Sequence, residues 1–413
     1  MRTFSFLHIQ TYLLLLFLIF GCEKQGKDTN GAVKPMEPIV LTKAEATMLS
    51  ASNDFGLNLF REVRTLEEGS SSFISPFSIA TVLSLLSAGA EGETREEIVS
   101  ALGLKEFSPE ETGVFYTSLY NALTTADNSV TLESANGLWF DKTLNKSIKS
   151  PFIDIVKNRF SVQPDYDDLS SMAFLDKLNN WCKKQTHGKI NQILDTPPAY
   201  SKMLAANAIY FSGKWSTPFE KEEKKPFYHL NGKQENVMML EGGKIPIAYS
   251  SRNGWEYAAI PYGNSAFQLE ILVPKDDIFD TACNHLSSTV LNGLRDRTHS
   301  YSPYKISLPK INVSYSNNII AKNLNRLGIC KLFGEDSDLS GISDKKITFD
   351  TMIHKTAFSM DKKGSEAAAI SVAYSIGSAS AIPSTPEFII DRPFIYLISE
   401  KSTGCILFIG QYL

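Results

Sequence analysis

The segment from Gly364 to Pro393, GSEAAAISVAYSIGSASAIPSTPEFIIDRP, constrains this chain more than any other. In a strand, alternate side chains point to opposite faces. One alternating set, Ser365, Ala367, Ala369, Ser371, Ala373 and Ser375, is uniformly small. The other, Glu366, Ala368, Ile370, Val372, Tyr374 and Ile376, turns bulky and largely β-branched after its first two members. A strand with one small face fits the interior of a crowded sheet, where a large side chain on the tight face would clash with packed neighbours. Yet the run passes into Gly377, Ser378, Ala379 and Ser380, small and polar residues that read as an exposed loop tip. The segment is therefore either an ordinary small-residue strand with a surface loop after it, or a loop able to become a strand.

With 413 residues, 43% of them hydrophobic, the chain can bury a large core as one big domain or two ordinary ones. Its 41 basic and 45 acidic residues give a net charge of −4, which excludes a global electrostatic footprint for nucleic acid. No nucleophile elbow, HExxH helix, phosphate loop or dinucleotide fingerprint occurs, and six histidines leave few candidates for metal or Ser-His chemistry. No catalytic residue, metal site or cofactor is expected.

The first 21 residues read as a signal peptide rather than as part of the fold: Arg2 supplies a short positive start and Leu7 to Phe20 is mostly apolar. That run is short for a membrane-spanning helix. Ile19-Phe20-Gly21-Cys22 resembles a bacterial lipobox, which implies lipidation of Cys22, with a plain signal peptide or signal anchor as the alternative. Residues 22–40 are polar with Gly and Pro, so they read as a flexible tether. Glu23 rather than Asp after the Cys favours the outer membrane or cell surface, with lipid as the only membrane contact. Cys182, Cys283, Cys330 and Cys405 show no CxxC or zinc spacing and read as buried apolar thiols, one disulfide remaining open.

From Leu41 to Leu66 an apolar stripe of Leu49, Phe55, Leu59, Phe60 and Val63 predicts a helix. Phe73 to Ala80 leads into an apolar helix, TVLSLLSAGA; Thr94 with Glu97 predicts a capping box for a following helix that Gly103 can stop. Val130 to Phe140, Asn207 to Trp215, Tyr257 to Pro261 and Phe267 to Pro274 have strand character, and Asn179 to Ile190 reads as an amphipathic helix ending at Gly188-Lys189-Ile190.

Several of these stretches together resemble the serpin family. Lys363-Gly364-Ser365-Glu366-Ala367-Ala368-Ala369 looks like the proximal hinge of its reactive loop, and Asp391-Arg392-Pro393-Phe394 like the segment that closes that loop. Phe73-Ile74-Ser75-Pro76-Phe77-Ser78, Asn207-Ala208-Ile209-Tyr210-Phe211-Ser212-Gly213-Lys214-Trp215, Leu308-Pro309-Lys310, Asp338-Leu339-Ser340-Gly341-Ile342 and His354-Lys355-Thr356-Ala357 follow in family order, so the match spans Leu41 to Leu413. The resemblance implies an α+β fold over residues 41–413 as a single domain: a large central, mostly antiparallel sheet, smaller sheets, surrounding helices and an exposed reactive loop at about 364–393. It implies that Trp215 lies where the loop enters the sheet, that Ser75, Ser78, Asn207 and His354 form a buried polar cluster below the opening, and that the helix ending at Gly188 lies across the gap.

The same resemblance implies a monomeric, irreversible suicide-substrate inhibitor whose partners are proteases. Gly364 would be the fifteenth residue before the cut, which puts the reactive bond between Ser378 and Ala379, within a span of Ile376 to Ser380. Small residues there and the lack of Arg and Lys favour elastase-like or subtilisin-like serine proteases, with papain-like cysteine proteases as further candidates. A heparin-like cofactor is not expected, because the region where relatives carry a basic helix, Glu106 to Asp141, has no Lys or Arg. Lys362 stands where the family commonly has Glu, and its partner position matches Lys310, so a repulsive contact is expected in the upper sheet. The alternatives are a non-inhibitory serpin acting as a surface binding or chaperone-like protein, and a surface-anchored enzyme on another α/β fold.

Overall fold

The first element of the computed structural model is a helix fixed at its start by side chains. The structure describes residues 34–67, 69–198, 201–275, 278–296, 300–317, 319–349, 352–365 and 385–413. Helix α1 (Lys43–Leu66) opens at Thr42, whose hydroxyl accepts the Glu45 N–H at 3.2 Å while the Glu45 carboxylate accepts the Thr42 N–H at 2.8 Å. This reciprocal box satisfies donors that a helix start leaves unpaired. Its predicted stripe, Leu49 to Val63, is buried. Helix α2 (Pro76–Ser87) starts at Ser75 with Pro76 pre-set for the first turn, and every one of its residues is buried. It is the central helix, packed on α1 and behind the sheet described below.

Helix α3 (Gly92–Ala101) corrects one expectation. It begins before Thr94, so Thr94 and Glu97 form no capping box; they hold another segment instead. The Thr94 hydroxyl accepts the Asp338 N–H at 2.9 Å, and the Glu97 carboxylate accepts the N–H groups of Cys330 and Lys331 at 2.8 and 2.7 Å. The helix does stop before Gly103, whose φ of +69° favours glycine. Helices α4 (Pro109–Thr125), α5 (Ser150–Arg159) and α6 (Met172–Gln185) follow.

The strands are β1 (Phe73–Ile74), β2 (Val130–Asp141), β3 (Asp165–Asp167), β4 (Met203–Gly213), β5 (Lys221–Tyr228), β6 (Gln234–Arg252), β7 (Trp255–Pro261), β8 (Phe267–Pro274), β9 (Ser302–Pro309), β10 (Asn312–Asn317), β11 (Met352–Ser359), β12 (Glu387–Ile389), β13 (Phe394–Glu400) and β14 (Ile406–Tyr412). Five of them form a sheet ordered β10, β11, β4, β2, β3. Most of its register is antiparallel, as expected, but β11 meets β4 in parallel at its centre and β2 meets β3 in parallel at its edge. The other strands form a nine-stranded sheet joined through the long β6, whose register on β9 shifts between Gly242 and Ile245 and which pairs with β7 from Ala248 on.

Alternation along β4 divides the core. Met203, Ala205, Ile209 and Phe211 face α2 and the main core, whereas Leu204, Ala206 and Ala208 face α6 with Trp139, Phe174, Leu178, Cys182 and Ile353. Cys182, Cys283 and Cys405 are buried free thiols, and burial pushes the Cys182 thiol up to about 11. Cys330 departs from the expectation: it is exposed, because its backbone is tied to Glu97 at the surface.

Candidate functional site

The five-stranded sheet is incompletely zipped. β11 and β4 pair from Met352 with Ala205 to Thr356 with Ile209, and no further. Beyond that point β4 runs on through Tyr210 to Gly213 with β2 on one side, and β11 runs on to Ser359 with β10 on its other side. Two strands that part in this way turn backbone edges toward each other, a geometry that accepts one more strand.

A tight turn sits at the mouth of that slot. The Asp361 N–H donates to the Gly364 carbonyl at 2.8 Å, and the Asp361 carboxylate accepts the N–H groups of Lys363 and Gly364 at 2.7 and 3.2 Å. Next, the Ser365 N–H donates to the Gly213 carbonyl at 2.6 Å and the Gly213 N–H donates back to the Ser365 carbonyl at 3.1 Å, which is one antiparallel rung. The Ser212 hydroxyl donates to the same Ser365 carbonyl. Gly364 is dictated by this approach: its φ is +143°, and a Cβ there would lie 2.4 Å from the Gly213 carbonyl oxygen. The Ser365 side chain is buried, its hydroxyl 3.2 Å from the Tyr262 hydroxyl.

Trp215 stands beside this turn. Its indole N–H donates to the Asp361 carbonyl at 2.9 Å, its backbone N–H to the Lys363 carbonyl at 3.2 Å, and its ring stacks on Tyr262 with centroids 4.3 Å apart. Near Lys362 and Lys310, the pair expected to repel, the structure supplies a carboxylate. Glu222, on β5, receives the Lys310 ammonium at 3.0 and 3.2 Å and the Lys362 backbone N–H at 3.3 Å, so the Lys310 charge is met by a carboxylate.

Below the slot the polar residues are close together but do not simply satisfy one another. His354 Nε2 accepts the Ser75 N–H at 3.0 Å, and the Ser75 hydroxyl donates to the Leu407 carbonyl at 2.7 Å while accepting the Ser78 N–H at 3.3 Å. Asn207, the register partner of His354, turns its amide the other way, donating to Asn136 at 2.8 Å and Ser134 at 3.3 Å on β2. His354 and Asn207, both buried, and the half-buried Asn136 thus form a polar row across β11, β4 and β2. Within it His354 Nδ1, Asn207 Oδ1 and the Ser78 hydroxyl have no hydrogen-bond partner among the described residues. Burial pushes the His354 imidazole down to about 3.

Helix α6 covers the junction. Phe174, Leu178 and Cys182 pack on Leu204, Ala206, Ala208 and Ile353, and the segment after the helix is tied back by Asn179, which accepts the Ile193 N–H at 2.8 Å. On β11 the Lys355 ammonium donates to the Gln192 carbonyl at 2.8 Å, so this cover is fastened to a strand that must move if the slot widens. At the far end the chain returns as β12, parallel to β9, and Arg392 pairs with Glu256 at 3.2 Å before β13 begins at Phe394. Glu366, Ala367, Ala368, Ala369, the Ser378-Ala379 bond and Cys22 lie outside the described residues. Tyr262 and Glu222, which contact Ser365 and Lys362 respectively, were not singled out from sequence; Ser134 and Asn136, polar residues in a strand-like run, left a local signal but no assigned role.

Comparison with known proteins bears on the whole of this arrangement. The family model described as Serpin (serine protease inhibitor) matches residues 50–413. The chain is 31% identical over 385 residues to the leukocyte elastase inhibitor of Bos taurus, covering 88% of this chain and 98% of that protein. The structure is similar to thyroxine-binding globulin in complex with thyroxine, with a TM-score of 0.78 and 25% identity over 88% of this chain and 98% of that one. It also matches the thermophilic serpin Tengpin in its native state, with a TM-score of 0.79 and 23% identity over 92% and 96% of the two chains.

Proposed function

The chain belongs to the serpin family, and from that premise we propose that it is an irreversible suicide-substrate inhibitor of proteases. The observation that carries the reading is the slot between β4 and β11 with its first rung, Ser365 to Gly213, made in advance. A protease serine would attack the carbonyl carbon of Ser378, forming an ester to Ser378 and releasing the amino group of Ala379 as the new chain start. The cut frees residues 366–378 to continue from the Ser365 rung as an antiparallel strand between β4 and β11, because no covalent tie to β12 remains. Insertion carries the esterified protease with it, and inhibition is a race between that movement and hydrolysis of the ester by water.

The small face of Ser365, Ala367, Ala369 and Ser371 supports rapid entry, since side chains pointing into a packed core must fit without displacing it. The absence of Arg and Lys from the loop and the likeness to an elastase inhibitor support elastase-like or subtilisin-like serine proteases as targets, with papain-like cysteine proteases next. The lipobox-like Cys22 supports export, with residues 1–21 removed, residues 22–40 as the tether and a monomeric inhibitory domain held at the bacterial outer membrane or cell surface. The test is incubation of the chain with a panel of elastase-like, subtilisin-like and papain-like proteases. A denaturant-stable 1:1 complex, with the cleaved bond mapped between Ile376 and Ser380, is expected. Cleavage without complex would overturn the inhibitor reading in favour of a non-inhibitory binding protein.

A further inference from the structure

We propose that Tyr262 is a positioning residue for loop insertion: its hydroxyl, held at a fixed point, latches the Ser365 side chain so that the inserted strand is nucleated before any protease arrives. The inference rests on the inhibitor reading for its consequence, but not for the existence of the latch.

Tyr262 is fixed from several sides. Its ring stacks on Trp215 at 4.3 Å and meets the Phe211 ring edge-on at 5.2 Å. Its backbone N–H donates to the Phe267 carbonyl at 2.9 Å, and the next residue, Gly263, donates to the Lys214 carbonyl at 2.8 Å. The turn bearing Tyr262 is therefore fastened to the same Gly213 to Trp215 stretch that receives the hinge. The phenol is fully buried, and the hydroxyl of Ser365 lies 3.2 Å from it. A buried hydroxyl that loses its partner is penalised, so Tyr262 and Ser365 each favour the docked position of the other.

Docking of the first residue matters because strand insertion begins with an unfavourable closure and then proceeds by adding rungs to an existing edge. Bringing the hinge to β4 fixes chain entropy before later contacts reward it. With Ser365 already paired to Gly213, the segment after it continues a ladder rather than starting one. Tyr262 thereby biases the race toward trapping, without touching the bond that is cut.

The test uses the full chain, three single substitutions and the double variant of Tyr262→Phe with Ser365→Ala. Tyr262→Phe keeps the stacked ring and removes the hydroxyl; Ser365→Ala removes the other hydroxyl; Ser365→Thr keeps it. Hydrogen exchange at the Ser365 amide is expected to quicken roughly tenfold in Tyr262→Phe and in Ser365→Ala, with little further gain in the double variant, since the two remove one interaction. Ser365→Thr is expected to exchange like the unmodified chain. With a subtilisin-type protease that the unmodified chain traps, the number of inhibitor molecules consumed per trapped protease should rise severalfold in Tyr262→Phe, while the rate of loop cleavage stays the same. Unchanged exchange in Tyr262→Phe, or additive effects in the double variant, would overturn the latch. Faster exchange with unaltered partitioning would overturn its role in insertion. If no protease is trapped by the unmodified chain, the inhibitor reading fails, and the exchange data still decide whether the latch exists.

Discussion

His354 carries its proton on Nδ1, because Nε2 accepts the Ser75 N–H at 3.0 Å. Among the described residues its Nδ1–H has no partner, and neither has the Oδ1 of Asn207, its register partner in the parallel pairing of β11 with β4. An unpaired buried polar group costs about 1–3 kcal/mol, so the closed junction is held less firmly than an apolar one would be. The same burial makes stability depend on pH. The folded imidazole is pushed down to about 3, below the ordinary value near 6.5 of an unfolded chain, so acid protonates the unfolded state first. Its contribution is complete above pH 6.5 and is lost as pH falls toward 3, at about 1.4 kcal/mol per pH unit. Between pH 7.5 and 5.5 the chain should therefore lose about 1.4 kcal/mol through this residue. His354→Gln should flatten that change in urea-unfolding midpoints measured at the two pH values. An equally steep change in the variant would assign it to other groups.

At the scale of elements, the mouth of the slot is held by strands that are distant in sequence. Glu222 on β5 joins Lys310, just after β9, to the backbone of Lys362, just after β11. The pair is partly exposed, so its worth to overall stability is about 1 kcal/mol or less. Its local effect is larger, since the Lys362 and Lys363 carbonyls accept the N–H groups of Phe219 and Trp215. Glu222→Gln should speed hydrogen exchange at Trp215 and Phe219 while scarcely moving the global unfolding midpoint; unchanged exchange at both amides would show that Glu222 does not brace the turn. This element also marks how far the sequence could be read. Gly364, Ser365, Trp215 and the polar residues of the sheet could be named from sequence, because each lies in a local run whose residue types follow a known order. Glu222 and Tyr262 were not, since their roles arise from contacts across strands more than a hundred residues from the hinge, where no spacing rule applies. Thr94 and Glu97 had the spacing of a capping box, but the helix starts two residues earlier and tertiary contacts take both side chains. The carboxylate that meets Lys310 beside Lys362 was likewise missing from the local pattern, because it comes from β5.

For the whole molecule, the proposed mechanism needs two arrangements of one sequence, with the slot unfilled before cleavage and filled after it, and it requires the unfilled form to be the less stable. On that reading the intact chain is held at two places, at Ser365 on β4 and at β12 on β9, which lie in separate sheets. Cutting that chain removes one anchor. The freed strand would gain ladders on both sides, with β4 and with β11, after the Met352 to Thr356 pairing gives way and α6 lifts with its fastening at Gln192. If about ten net hydrogen bonds form at about 1 kcal/mol each, the melting temperature should rise by roughly 10 °C in a chain of this size. Nicking the loop between residues 366 and 384 with a trace of subtilisin-type protease, then scanning cut and uncut protein at one heating rate, measures this directly. Ser365→Arg serves as the control: Ser365 is 1% exposed, so the longer, charged side chain should stop entry at the first rung and abolish the gain after an equal cut. A nicked chain that melts no higher than the intact one would mean that the slot does not take the loop. A gain that survives Ser365→Arg would mean that entry does not begin at the Gly213 rung.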